Sequence, residues 1–70
     1  MERYVIVRQN TYVDSLAALF MMSVLLDHQG IETAFVGMAT DANKASMEEL
    51  GLVDDAVRAA REEDLVIAAM

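Results

Sequence analysis

The sequence predicts a small α/β domain with the element order β-α-β-α-α-β, on three observations. Continuously apolar runs stand at residues 4–7 and 65–70 and a mostly apolar one at 33–38, each too brief for a helix. Between them lie stretches that begin with helix-capping side chains and end near Gly30 and Gly51, where left-handed backbone stops a helix. The length sets the scale. Seventy residues without cysteine or proline make one domain, residues 1–70, and a chain this short buries only about 60% of its unfolded surface.

Tyr4-Val5-Ile6-Val7 is apolar at successive positions, the pattern of a strand covered on both faces. Arg8-Gln9-Asn10-Thr11 then turns, and a helix is expected from about Tyr12–Asp14 to about His28, started by an oxygen of Asn10, Thr11 or Asp14. Thr33 to Met38 forms the second strand. The short helix-to-strand loop predicts that it runs parallel to the first in a βαβ unit. Thr40 or Asp41 caps a second helix through Leu50, with Glu48 and Glu49 facing water. A third is expected from Asp54 to about Glu62, where Val53, Ala56, Val57 and Ala60 recur at helical spacing. Leu65 to Met70 is the last strand. The favoured arrangement is a two- or three-layer α/β domain with a short, mainly parallel sheet. The alternative is a ferredoxin-like variant whose last strand runs antiparallel.

The first helix is the anomaly. Between Val13 and Leu26 nearly every residue is apolar, and Asp14, Ser15, Ser23 and Asp27 fall on scattered bearings at about 100° per residue. A helix apolar all round is a buried helix, yet a three-stranded sheet covers only one side of it. The other side is expected to meet a second copy or a neighbouring domain, with Phe20, Met21, Met22 and Leu25 as the candidate contact residues. Methionine pairs suit such a surface because thioether side chains repack at low cost. The apolar run that closes at Met70 leaves sheet surface or an edge open to pairing.

Composition narrows the function classes. Twelve acidic against 5 basic residues give a net charge of −7, which repels phosphate backbones and anionic lipid; neither nucleic acid nor a membrane surface is an expected partner. The apolar stretch from Leu16 to Leu26 spans about 11 residues where a bilayer span needs about 20, and no secretory signal is recognisable, so a cytoplasmic location is expected. Without cysteine and with His28 as the sole imidazole, thiolate catalysis and the common zinc sites are excluded. Ser15 and Ser23 lack an adjacent general base. No catalytic residue and no metal ligand is assigned. Asp54-Asp55 and Glu62-Glu63-Asp64 read as caps and solvated surface.

One loop has binding chemistry. Gly37-Met38-Ala39-Thr40-Asp41-Ala42-Asn43-Lys44 joins a strand to a helix, where α/β folds usually bind ligands. The Thr40 hydroxyl, Asn43 amide and Lys44 ammonium are candidates to hold a phosphate or carboxylate at the helix N-terminus. The loop is not a Walker motif, because the glycine before the lysine is missing, and Asp41 places a negative charge at the site. The competing reading is a capped turn.

The stretch Val36-Gly37-Met38-Ala39-Thr40-Asp41-Ala42-Asn43-Lys44-Ala45, with Asp14-Ser15, Gly51, Asp54-Asp55 and Asp64-Leu65-Val66-Ile67-Ala68, resembles the amino-terminal domain of the FdrA family. That family is similar to the alpha subunit of succinyl-CoA synthetase. The resemblance implies an acyl-CoA synthetase-like or carbamoyltransferase setting in which CoA and phosphohistidine chemistry belongs to later domains. On this reading the chain is a noncatalytic interaction or oligomerisation module, self-associating or docking onto a CoA-ligase-like partner, with no cofactor of its own. The alternative is a small subunit that lends Thr40–Lys44 to a shared CoA, nucleotide or carboxylate site of a ligase.

Overall fold

Three side-chain oxygens start the three helices of the computed structural model, which describes residues 3–70. The elements are β1 (Tyr4–Arg8), α1 (Ser15–Leu26), β2 (Ala34–Met38), α2 (Asp41–Glu49), α3 (Asp55–Ala59) and β3 (Leu65–Ala69). Asp14 Oδ1 accepts from the Ala17 amide at 2.8 Å, Thr40 Oγ1 from Asn43 at 3.2 Å and Asp54 Oδ1 from Val57 at 3.0 Å. Each satisfies an amide that has no partner within its helix.

Two helices stop earlier than the spacing predicts. α1 ends at Leu26 rather than His28: the His28 amide bonds back to Leu25 at 3.1 Å, a tightened last turn, and the residues that follow are polar with nothing to pack on. α3 ends at Ala59 rather than near Glu62, because the Arg61 amide donates to Asp64 Oδ2 at 2.9 Å instead of continuing the helix. α2 ends as expected. Gly51 takes φ of +76° and its amide meets Glu48 O at 3.0 Å, while Leu52 meets Met47 O at 2.9 Å, a glycine-dependent stop.

The sheet order is β1-β3-β2, and both outer strands run antiparallel to β3. The expected mainly parallel sheet is therefore corrected. β1 and β2 share a direction, as a β-α-β unit requires, but β3 lies between them, as in the ferredoxin-like alternative. The reason is burial. Leu65-Val66-Ile67-Ala68-Ala69 has no polar side chain and is buried at four of its five positions, so it belongs where both faces are covered. Arg8 in β1 and Gly37 in β2 suit edges.

The layers are α1 on one face and α2 with α3 on the other. On the α2–α3 side Met47, Leu52, Val53, Val57 and Ala60 close over Val66 and Ala68, with Val5, Val7 and Phe35 packed against them. The largest fully buried side chains, Met47, Leu52, Val57 and Val66, all lie in this cluster. Under α1 the buried cluster is Ala18, Val36 and Leu65, flanked by Met21, Met22, Leu25, Met38 and Ile67, with Ala34 and Ala69 buried further along the same sheet face. The principal core thus forms away from the most apolar helix.

Candidate interaction face

Strand register decides which side chains α1 leaves bare. Tyr4 pairs with Ala69, Ile6 with Ile67 and Arg8 with Leu65, so these β1 side chains share the sheet face of Leu65 and Ile67, the face on which α1 lies. A helix is about 10 Å wide and strands are about 4.8 Å apart, so one helix covers about two strands. α1 packs over β2 and β3, leaving the β1 face exposed: Tyr4 is 62% and Ile6 53% exposed. The expectation that β1 is covered on both faces is corrected, since only Val5 and Val7 are half-buried.

α1 itself is bare outside. Ala18 is its sole buried residue, whereas Leu16 is 80%, Phe20 70% and Leu19 57% exposed, with Val24 and Leu26 also open. Of the expected contact residues, Phe20 points outward, while Met21, Met22 and Leu25 are half-buried against the sheet. On the flank toward β1, Phe20, Met21, Val24, Leu25 and Ile67 line a groove of about 310 Å³ with almost no polar wall. Ser23, the polar residue in mid-helix, donates its hydroxyl to Leu19 O at 3.0 Å and so satisfies itself locally. From Ser15 to Leu26 α1 carries no charge. Tyr4 and Ile6 complete this face and were missed by the sequence reading; the signal was Tyr4 and Arg8 at alternate positions with Ile6, an amphipathic period of two inside an apolar run.

The other end of the sheet gathers the polar groups. Asn43 Nδ2 donates to Met38 O at 2.8 Å and Thr40 Oγ1 is engaged as the α2 cap. The Lys44 ammonium donates to Ala60 O at 2.5 Å and Arg58 O at 3.2 Å. The three residues expected to hold an anion thus turn to separate partners within the chain: the Asn43 amide, the Met38 carbonyl and the carbonyls at the end of α3. Beside them Asp64 is 4% exposed. Its carboxylate accepts from Arg61 N at 2.9 Å and Asn10 N at 3.1 Å, and its carbonyl from Ala39 N at 2.9 Å. The Arg61 amide first, then the Asn10 amide, hold its pKa below 3.8; burial opposes them, and the Arg61 and Lys44 charges add to the lowering. Asn10 adopts φ of +51°, a left-handed conformation that asparagine tolerates better than most residues.

The model of the AllF heavy metal-associated domain family matches residues 1–70. The uncharacterized protein YahF of Escherichia coli (strain K12) is 35% identical over 63 residues, which are 90% of this chain and 12% of that protein. The chain therefore spans a small part of that relative's length. No solved structure matches it. The family match overturns the resemblance to FdrA and the acyl-CoA synthetases; the motif behind it, Met38 to Lys44, consists of the cap and turn residues just described.

The family's description brings a heavy metal into view, and the donors here do not fit one. Such ions are held mainly by thiolate and imidazole, whereas this sequence has no cysteine and a single histidine. Among the described residues no group of three or more His, Cys, Asp or Glu is placed to hold an ion, and both oxygens of the buried Asp64 are already occupied by amides. No helix among the described residues is long and apolar enough to cross a membrane.

Proposed function

The chain belongs to the AllF heavy metal-associated domain family, and from that premise we propose that it is a noncatalytic interaction module whose working surface is the bare side of α1 together with the adjoining face of β1. The observation that carries this reading is the exposure of Leu16, Phe20 and Val24 along α1 and of Tyr4 and Ile6 on the β1 face that α1 leaves uncovered. Their open side-chain area is on the order of 500 Å², at the upper end of the largest apolar patch on a typical monomer. α1 is also free of charge and its mid-helix serine is self-satisfied, so nothing on it resists being dried. The remaining polar cluster supports the loops and offers no nucleophile beside a base.

The test separates a contact surface from a piece of core. Leu16→Asp and Phe20→Asp replace exposed side chains, so each is expected to leave the far-UV spectrum and Tm within a few degrees of the parent. Light scattering at about 100 μM is expected to give a mass above the monomer for the parent and the monomer mass for both variants. A parent that is monomeric and unaffected in every property by either change would overturn the reading.

A further inference from the structure

α1 has a side too many to bury and the sheet has a strand too few covered, and the two defects match. A helix placed in the slot over β1 would lie beside α1, against the groove of Phe20, Met21, Val24, Leu25 and Ile67, and on top of Tyr4 and Ile6. An ordinary amphipathic helix in that slot would hide the flank of α1 but leave its outer ridge, Leu16 and Phe20, in water. A second copy of this chain, turned over, hides both. Its α1 fills the slot over β1, and its own bare β1 face comes down on the outer ridge of the first α1.

We infer that the occupant of this face is a second copy of the chain, in a two-fold dimer where both α1 helices form one shared layer between two sheets. This rests on the proposed reading of the face as a contact surface and adds the partner and the pairing. In the dimer each α1 meets its own sheet through Ala18, Met22 and Leu25, its twin through the Met21–Val24 flank, and the partner's sheet through Leu16 and Phe20. That covers the outer ridge of α1 as well as its β1 flank, which a single docked helix does not, and leaves Leu19 and Leu26 on the flank away from β1 open. The open area on each copy, on the order of 500 Å² before half-buried groove residues are added, approaches the roughly 800 Å² per partner of a standard interface. The isologous arrangement uses surfaces that this chain already has. Exchanging left for right and top for bottom together puts the two-fold axis along α1, so the helices run parallel and equivalent residues on their flanks face each other.

The absence of native cysteine makes cross-linking a clean test. Under mild oxidation Val24→Cys is expected to link to itself as a covalent dimer. A mixture of Ile6→Cys chains with Phe20→Cys chains is expected to give a mixed disulfide in excess of either self-linked product. Tyr4→Asp, on the exposed face of β1, is expected to weaken association at least tenfold by sedimentation.

The outcomes are separable. A parent that sediments as a monomer up to 100 μM removes the second copy as occupant, and if Leu16→Asp and Phe20→Asp are also silent, the contact-surface reading falls with it. A stable dimer that ignores Tyr4→Asp and gives no Ile6–Phe20 cross-link leaves the contact surface standing and overturns this pairing.

Discussion

Asp64 ties three loops, two through its carboxylate and one through its main-chain carbonyl. Its two oxygens hold the amides of Asn10 and Arg61, and its carbonyl holds Ala39, so the exits of β1 and β2 and the entry to β3 are tied at one point. A carboxylate is favoured over an amide there because both incoming groups are donors. The pH consequence follows from the lowered pKa. A carboxylate with a depressed folded pKa contributes stability that is complete above its unfolded value near 3.8 and is lost as pH falls through the lower folded value. Asp64→Asn, which turns an NH₂ toward one amide donor, is therefore expected to lower Tm at pH 7. The gap between parent and variant is expected to narrow as pH drops below about 4 and protonation removes the parent's advantage. Thermal scans from pH 7 to pH 2.5 check this; a gap constant across that range would show that the charge is irrelevant. None of this is legible in Glu62-Glu63-Asp64, which reads as solvated surface, because the amides that Asp64 serves are in part 54 residues away.

Between elements, Lys44 does comparable work. It leaves α2 to meet the last carbonyls of α3, at Ala60 and Arg58, where a cation is favoured by the helix dipole. Lys44→Met keeps most of the aliphatic stem and removes the donor, and is expected to cost about 1 kcal/mol, or roughly 4–8 °C in Tm for a domain of this size. Differential scanning calorimetry measures it, and an unchanged Tm would mean that water serves those carbonyls equally well. The elements themselves were readable because what starts and stops them is local: Asp14, Thr40 and Asp54 each cap a helix within three residues, and Gly51 turns where only a residue at ease with positive φ does so without strain. Strand neighbours were not readable in the same way. The step from α1 to β2 is short whether β2 lands beside β1 or one place further along, and what decides is the competition for the central position, won by Leu65–Ala69. The face of β1 was misread for the same reason. Tyr4 and Ile6 look buried in a run of four apolar residues until it is known that α1 covers only the other two strands.

At the scale of the molecule, excess apolar surface and excess negative charge oppose each other. Each copy carries a net charge of −7, so bringing two together costs long-range repulsion, while the charge-free stretch of α1 keeps the acidic charges at the rim and Arg8 stands at the end of the β1 face. The dimer proposed above is accordingly held by burial and resisted by a field that salt screens. The Debye length falls from about 30 Å at 0.01 M to about 8 Å at 0.15 M ionic strength, which removes most of the repulsion between rim charges and leaves burial untouched. Kd is therefore expected to fall several-fold between 0.01 and 0.15 M NaCl and to keep falling more slowly above it, with no change in the cross-linking pattern. Sedimentation velocity across a salt series measures this directly. An interface stitched by ion pairs has the opposite slope, and the pairs visible here, Arg58–Asp55 at 3.2 Å and Arg61–Glu63 at 3.4 Å, are exposed and internal to the chain. Association that weakens with salt would place the contact somewhere other than the bare side of α1.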